Sequence, residues 1–213
     1  MITIEEARGW YSGDDPVHGL DHVLRVLGLA LHLGEELNAD REILQTAALL
    51  HDAEGAHPGQ GDIRLSHEQA SAAFAGEVLK QRGWEEDRIQ SVQHCIRAHR
   101  FRGSEKPQSL EAKILFDADK LDVMGAFGAA RTVGYAIQAG QPIYASASEH
   151  FRETGETLPG EPHSAYHEYL FKLRVVKDRL HTEPARRMAV ERQAVLEAFF
   201  EGLATEAAFG TGS

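Results

Sequence analysis

With 42% apolar residues, the 213-residue chain is long enough to bury a core without staples, and the single Cys95 excludes an internal disulfide. A net charge of −11 excludes a protein that wraps a nucleic-acid backbone, because that affinity comes from Lys and Arg displacing counterions; a small anionic substrate needs a cation or a local Arg/Lys cluster to reverse the field. The acidic opening MITIEEARGW does not read as a signal peptide and no run approaches the length of a membrane span, so a cytoplasmic monomer or homodimer without a membrane partner is expected.

Thr3 with Glu6 has capping-box spacing and opens a predicted helix over 3–12. Val23, Val26, Leu27, Ala30, Leu31 and Leu37 recur as one buried face and predict a second over 21–38. The third, over 41–51, is built of strong helix formers and ends at the dipeptide His51-Asp52, after which Gly55, Pro58, Gly59 and Gly61 enforce a loop. Ser66 with Gln69 opens a fourth helix that Gly83 closes after Arg82, and a fifth follows over 85–99. From Ser109 to Gly140 the pattern is helical again, with Gly125, Gly128 and Ala129 as a small-residue stripe; this is the expected central helix. Residues 140–163 are polar and without period, and read as a lid or an edge. Helices over 164–180 and 182–203 follow, the latter with Thr182 as N-cap and Pro184 in its first turn, and the tail ATEAAFGTGS is expected to fray. No strand pair, repeat or dividing linker interrupts this pattern, so the expected fold is one all-α helical bundle over 1–205 with a frayed tail over 206–213.

Side chains one apart on a helix diverge, so His51 and Asp52 share a ligand only near a helix end, which is where the pattern puts them. Upstream, HGLDHVLRV sets His18 and His22 four apart; downstream, LFDADKLD sets Asp117, Asp119 and Asp122 in an apolar setting where unpaired carboxylates are costly. His22, His51, Asp52 and Asp117 form a mixed N/O donor set on three helices that suits Mn²⁺, Fe²⁺, Co²⁺ or Mg²⁺ and lacks the thiolates of a structural zinc site. Asp119 and Asp122 cannot both face the same ion as Asp117 from a regular helix, and are expected as ion-pair or supporting partners. His18 is expected to orient a ligand carboxylate or the helix start. His32, His57, His150, His163, His167 and His181 have no constellation and read as surface residues, and the Arg-rich segment 186–192 as a solvated helix face. Neither a phosphate-binding glycine loop nor a serine nucleophile elbow is present.

The stretches DDPVHGLDHVLRV, AALLHDAEG, SHEQASA, VQHCIRAHRF, FDADKLDVMGAFGAARTVG and EYLFKLRVVKDRLHTEPARRMAVERQAVLEAFF resemble the HD-domain metal-dependent phosphohydrolases. Among these the chain is most similar to bacterial members that include nucleoside triphosphate pyrophosphohydrolases. The resemblance implies a helical bundle holding one divalent ion, manganese foremost, through His22, His51, Asp52 and Asp117, and hydrolysis of a small phosphorylated metabolite, nucleotide foremost, at a pyrophosphate or phosphomonoester bond. His67, His94 and His99 occupy places resembling the extra ligands of two-ion relatives, with phosphate contact as the other reading. A divalent ion polarises a phosphoryl oxygen and acidifies water. Developing phosphate charge calls for cations, for which Lys120, Arg25, Arg64, Arg97, Arg100 and Lys172 are candidates, Lys120 first because it lies three residues from Asp117. Glu54, two residues past Asp52, is the candidate to orient the attacking water, with Asp62 as runner-up. The rival expectations are an HD-type phosphodiesterase, a 5′-monophosphatase, a nucleotide sensor without turnover, and a di-iron oxygenase on a related helical fold.

Overall fold

A computed structural model describes residues 1–11, 19–54, 67–100 and 105–211. His18, His57, Asp62 and Arg64 lie outside the described residues. Among those described the structure is all-α, with no strand. The helices are α1 (Ile4–Arg8), α2 (Leu20–Leu37), α3 (Arg41–Leu50), α4 (His67–Gln81), α5 (Glu86–Ala98), α6 (Leu110–Asp122), α7 (Gly125–Gln138), α8 (Glu149–Thr154), α9 (Ala165–Phe171) and α10 (Glu183–Ala207). None of them is long and apolar enough to cross a membrane.

The chain groups into two units, one of Met1–Lys120 with Leu180–Ala185, the other of Leu121–Arg179 with Arg186–Ser213. In the first, α2 packs on α3, α3 on α5, and α4 on α5. The α2–α3 approach is close: a Cβ on Gly34 would collide with the Leu44 side chain. Asp40 caps α3 by accepting from the Glu42 and Ile43 amides at 2.9 and 3.1 Å, and Arg88 of α5 grips the same carboxylate. That guanidinium holds Asp40 below its ordinary pKa. The helix that ends at the dipeptide is thereby anchored at its start.

The second unit departs from the sequence pattern in four places. The expected central helix breaks into α6 and α7 at Val123–Met124, where the Arg192 guanidinium donates to the Leu121 carbonyl at 2.6 Å and Gly125 takes φ +68°. The Gly128 position tolerates no Cβ because the Val123 backbone fills that space, so the small residues serve this tight corner. Arg192 is therefore half-buried and engaged, not on a solvated face. Residues 140–163 contain α8, capped by Ser148 and anchored by buried Phe151. Glu161 organises that segment by accepting from the Ser148 amide and hydroxyl and from the Leu158 amide. The helix expected over 164–180 divides into α9 and a 3-10 stretch, Leu173–Arg179. At the far end α10 continues to Ala207, because buried Phe200 stacks on Tyr169 at 4.7 Å and holds the last turns down.

Candidate metal centre

The last turn of α3 leaves carbonyls that the helix cannot satisfy, and side chains take them up. The Ala48 carbonyl accepts from His51 Nδ1 at 2.7 Å, the Leu50 carbonyl from the Ala53 amide at 3.3 Å, and the Leu49 carbonyl from the Tyr11 hydroxyl at 2.9 Å. The first of these bonds fixes the proton of His51 on Nδ1 and leaves the Nε2 lone pair facing inward. His99, the C-cap of α5, repeats the device: its Nδ1 donates to the Ile96 carbonyl at 2.6 Å. Two imidazoles from two helix ends thus present the same nitrogen.

Asp52 is the hub they face. Its Oδ2 lies 3.7 Å from His22 Nε2 and 3.5 Å from His51 Nε2, and its Oδ1 lies 3.5 Å from both His67 Nε2 and His99 Nε2. These separations exceed good hydrogen-bond length and lie a few tenths of an ångström beyond the roughly 3.0–3.4 Å between two ligands each about 2.1 Å from one ion, so a small inward movement would let them share a cation. Two donor groups result, His22-His51-Asp52 and Asp52-His67-His99, both built almost wholly of buried side chains. His51 Nε2 and Asp52 Oδ1 are buried without a hydrogen-bond partner. Among the described residues two other side-chain atoms share that condition, Thr46 Oγ1 and Gln193 Oε1, and neither has a donor cluster around it. Burial alone would raise the Asp52 carboxyl, but His51, His99 and His67 together hold it well below the ordinary carboxylate range. In return Asp52 outweighs the effect of burial and lifts His99 above the usual imidazole value.

The carboxylate of α6 that reaches this cluster is Asp119, not Asp117. Asp119 Oδ1 stands 3.5 Å from His22 Nε2, and Lys120 Nζ pairs with Asp119 Oδ2. Against the pull of burial, Lys120 and His22 hold Asp119 far below its ordinary pKa. Asp117 is also fully buried, but both of its oxygens are taken: Oδ1 accepts from the His181 amide at 2.8 Å, and Oδ2 from the Thr182 amide and hydroxyl at 2.7 Å. It joins α6 to the chain entering α10; neither α6 carboxylate is a member of the two donor groups, and the 3.5 Å approach to His22 is what sets Asp119 apart. Burial raises its pKa despite these bonds.

The other expected site residues separate in the same way. His67 and His99 are brought to Asp52; His94 is not, because its Nδ1 pairs with Glu105 and its Nε2 accepts from the Gln108 amide. Arg25 is half-buried one turn beyond His22 on α2. Arg100, next to His99, donates to buried Glu68 at 3.1 Å, and Arg97 is held by Glu105. Lys172 belongs to the second unit, exposed and paired with Glu168. The Glu54 side chain is exposed, while its backbone is clamped on both sides by Ser71 Oγ, which accepts from the Glu54 amide and donates to its carbonyl at 3.1 Å. Ser71 falls within SHEQASA, but nothing in that stretch signals its contact with Glu54, and no sequence pattern singles out Tyr11.

Fold and site define a helical domain that gathers a His-Asp dipeptide and further imidazoles into a cluster that could hold a metal ion. Residues 19–124 match the HD domain family. The uncharacterized protein YpgQ of Bacillus subtilis is 31% identical over 208 residues, 93% of this chain and 91% of its own length. Its crystal structure in complex with ADP superposes with a TM-score of 0.72 at 29% identity, covering 96% of this chain and 97% of that one. An HD-superfamily hydrolase from Bacillus thuringiensis gives a TM-score of 0.67 at 26% identity, over 96% of this chain and 94% of the other. The chain belongs to the HD-domain family.

Proposed function

We propose that the chain is a metal-dependent phosphohydrolase acting on a nucleotide, with His22, His51, Asp52 and Asp119 as the ligands of one divalent cation. The observation that carries this reading is the pair of buried, unpartnered atoms on adjacent residues, His51 Nε2 and Asp52 Oδ1, inside a cluster of imidazoles whose Nε2 atoms face one carboxylate. A donor set of imidazole and carboxylate without thiolate favours Mn²⁺ over zinc of the structural kind. When bound, the cation supplies Lewis acidity toward a phosphoryl oxygen and toward water.

The protein's own residues do the rest. His51 and His99, each locked by an Nδ1 bond to a helix carbonyl, hold their Nε2 lone pairs in place without rotamer search. Lys120 balances Asp119 and stands as a buried positive charge where phosphate oxygens gain charge. Arg25 and Arg100 supply further positive charge to the substrate, beside His67. Glu54, held at its backbone by Ser71, orients the attacking water and takes its proton. A nucleotide is the favoured substrate because the relative YpgQ was crystallised with ADP. The second donor group favours a further reading in which Asp52, His67 and His99 would hold a second ion.

The test is a panel of nucleoside mono-, di- and triphosphates assayed for released phosphate and pyrophosphate, with Mn²⁺ and with excess chelator. Chelator-sensitive release from one class supports the proposal and names the bond cleaved. Nucleotide binding without any release identifies a sensor instead, and chelator-insensitive release contradicts the metal mechanism.

A further inference from the structure

Tyr11 is a buried phenol in the first unit, 7% exposed, and the proposed chemistry does not use it. Its hydroxyl donates to the Leu49 carbonyl at 2.9 Å across 38 residues of sequence. Helix geometry would have paired that carbonyl with the Ala53 amide, which bonds the Leu50 carbonyl instead, so Leu49 is one of the orphan acceptors of a helix end. Tyr11 therefore accounts for the acceptor two residues before His51, at the end of the helix that carries the dipeptide. His51 Nδ1 closes the neighbouring Ala48 carbonyl from within the turn, whereas the phenol reaches the Leu49 carbonyl from a distant part of the unit, as Ser71 reaches Glu54 just past the dipeptide.

We infer that Tyr11 is a positioning residue of the metal centre, whose hydroxyl locks the last turn of α3 so that His51 and Asp52 face a shared cation. The inference rests on the metal-centre reading above and adds a residue that touches neither cation nor substrate. A freed Leu49 carbonyl would seek water or another amide, and a helix end that shifts by a fraction of an ångström moves both donors at once. The same N-terminal segment offers an internal control: Gln45 of α3 donates to the Ile2 carbonyl at 2.9 Å, tying the same two pieces of chain together well upstream of the dipeptide.

The experiment titrates Mn²⁺ into the purified full chain by calorimetry for the wild type, Tyr11→Phe and Gln45→Leu, with thermal unfolding of each. Tyr11→Phe is expected to bind Mn²⁺ about tenfold or more weakly, the scale of losing a group that supports a ligand. Gln45→Leu is expected to lower Tm with Mn²⁺ affinity within about twofold of wild type, since it loosens the segment without touching the last turn. Tyr11→Met, which keeps apolar volume without a hydroxyl, reads the same way if the Phe variant does not fold. Wild-type affinity in both Tyr11 variants overturns the inference, as does an equal loss in Gln45→Leu, which would mean general loosening. A wild-type chain that takes up no Mn²⁺ shows in the first titration, before any variant is compared, and removes the centre that Tyr11 is said to position.

Discussion

Among the described residues, imidazoles and carboxylates cluster in buried surroundings around Asp52 in the first unit and around His167 in the second. At His167 every polar atom is answered: Nδ1 meets Ser164 Oγ at 2.7 Å, Nε2 meets Glu161 at 3.2 Å, and Phe151 covers the ring at 4.4 Å. Ser164 and His167 are fully buried, so this Ser-His-Glu arrangement gives a substrate no access to the hydroxyl and works as scaffold. Around Asp52 the same residue types stand 3.5–3.7 Å apart, beyond good hydrogen-bonding distance, and two of their atoms are left over. Residue type does not separate a site from a strut, whereas unmet polar capacity does.

The comparison breaks most decisively at the dipeptide. His51→Ala or Asp52→Ala is expected to abolish metal uptake and to lower kcat/KM by roughly a thousandfold or more, while far-UV circular dichroism still reports a folded helical protein. Retained metal content in either variant would place the ion elsewhere.

A sharper cut lies within α6. Asp117→Ala leaves three donors from His181 and Thr182 without an acceptor and should cost about 2–4 kcal/mol in denaturant unfolding, with metal affinity kept when assayed below the transition. Asp119→Asn should weaken metal binding about tenfold or more, and it also lowers stability because the buried Lys120 charge loses its partner. Equal behaviour of the two variants would dissolve the distinction between ligand and strut. Glu54→Gln should lower kcat by about a hundredfold while leaving metal content unchanged, which single-turnover assay and metal analysis together resolve.

The smallest effect belongs to the scaffold cluster and appears as a pH dependence. Amides of Ser148 and Leu158, with the Ser148 hydroxyl, hold the Glu161 carboxyl down at about 2. A carboxyl depressed in the folded state adds stability that is fully present above its unfolded value of about 4.3 and is lost as pH falls toward the folded value. Hydrogen-exchange protection factors of residues 148–161, corrected for the intrinsic pH dependence of amide exchange, should therefore fall between about pH 4 and pH 2, and Glu161→Gln should flatten that response. An unchanged profile in the variant would assign the acid sensitivity to other carboxylates.

Local patterns carried much of this architecture. Capping at Thr3 and Glu6, the buried face of α2 and the helix end at His51 are visible in sequence because each depends on residues within a turn or two. What escaped depends on distant contacts. LFDADKLD offers three carboxylates at nearby helical positions, and the one that meets His22 is decided by Asp117 being claimed by residues 64 and 65 positions further on. His167 read as a surface residue because its polar surroundings in sequence become a closed cage only once Glu161 folds back on α8. The break between α6 and α7 is set by Arg192, which no window around Val123 contains.

The central claim is that the unmet atoms of His51 and Asp52 await a cation. Its most direct measurement is a Mn²⁺ binding isotherm on the chelator-stripped chain, run beside His51→Ala. A saturable stoichiometric uptake that disappears in the variant is the predicted result. Uptake that the variant retains unchanged, or none in the wild type, would contradict the account.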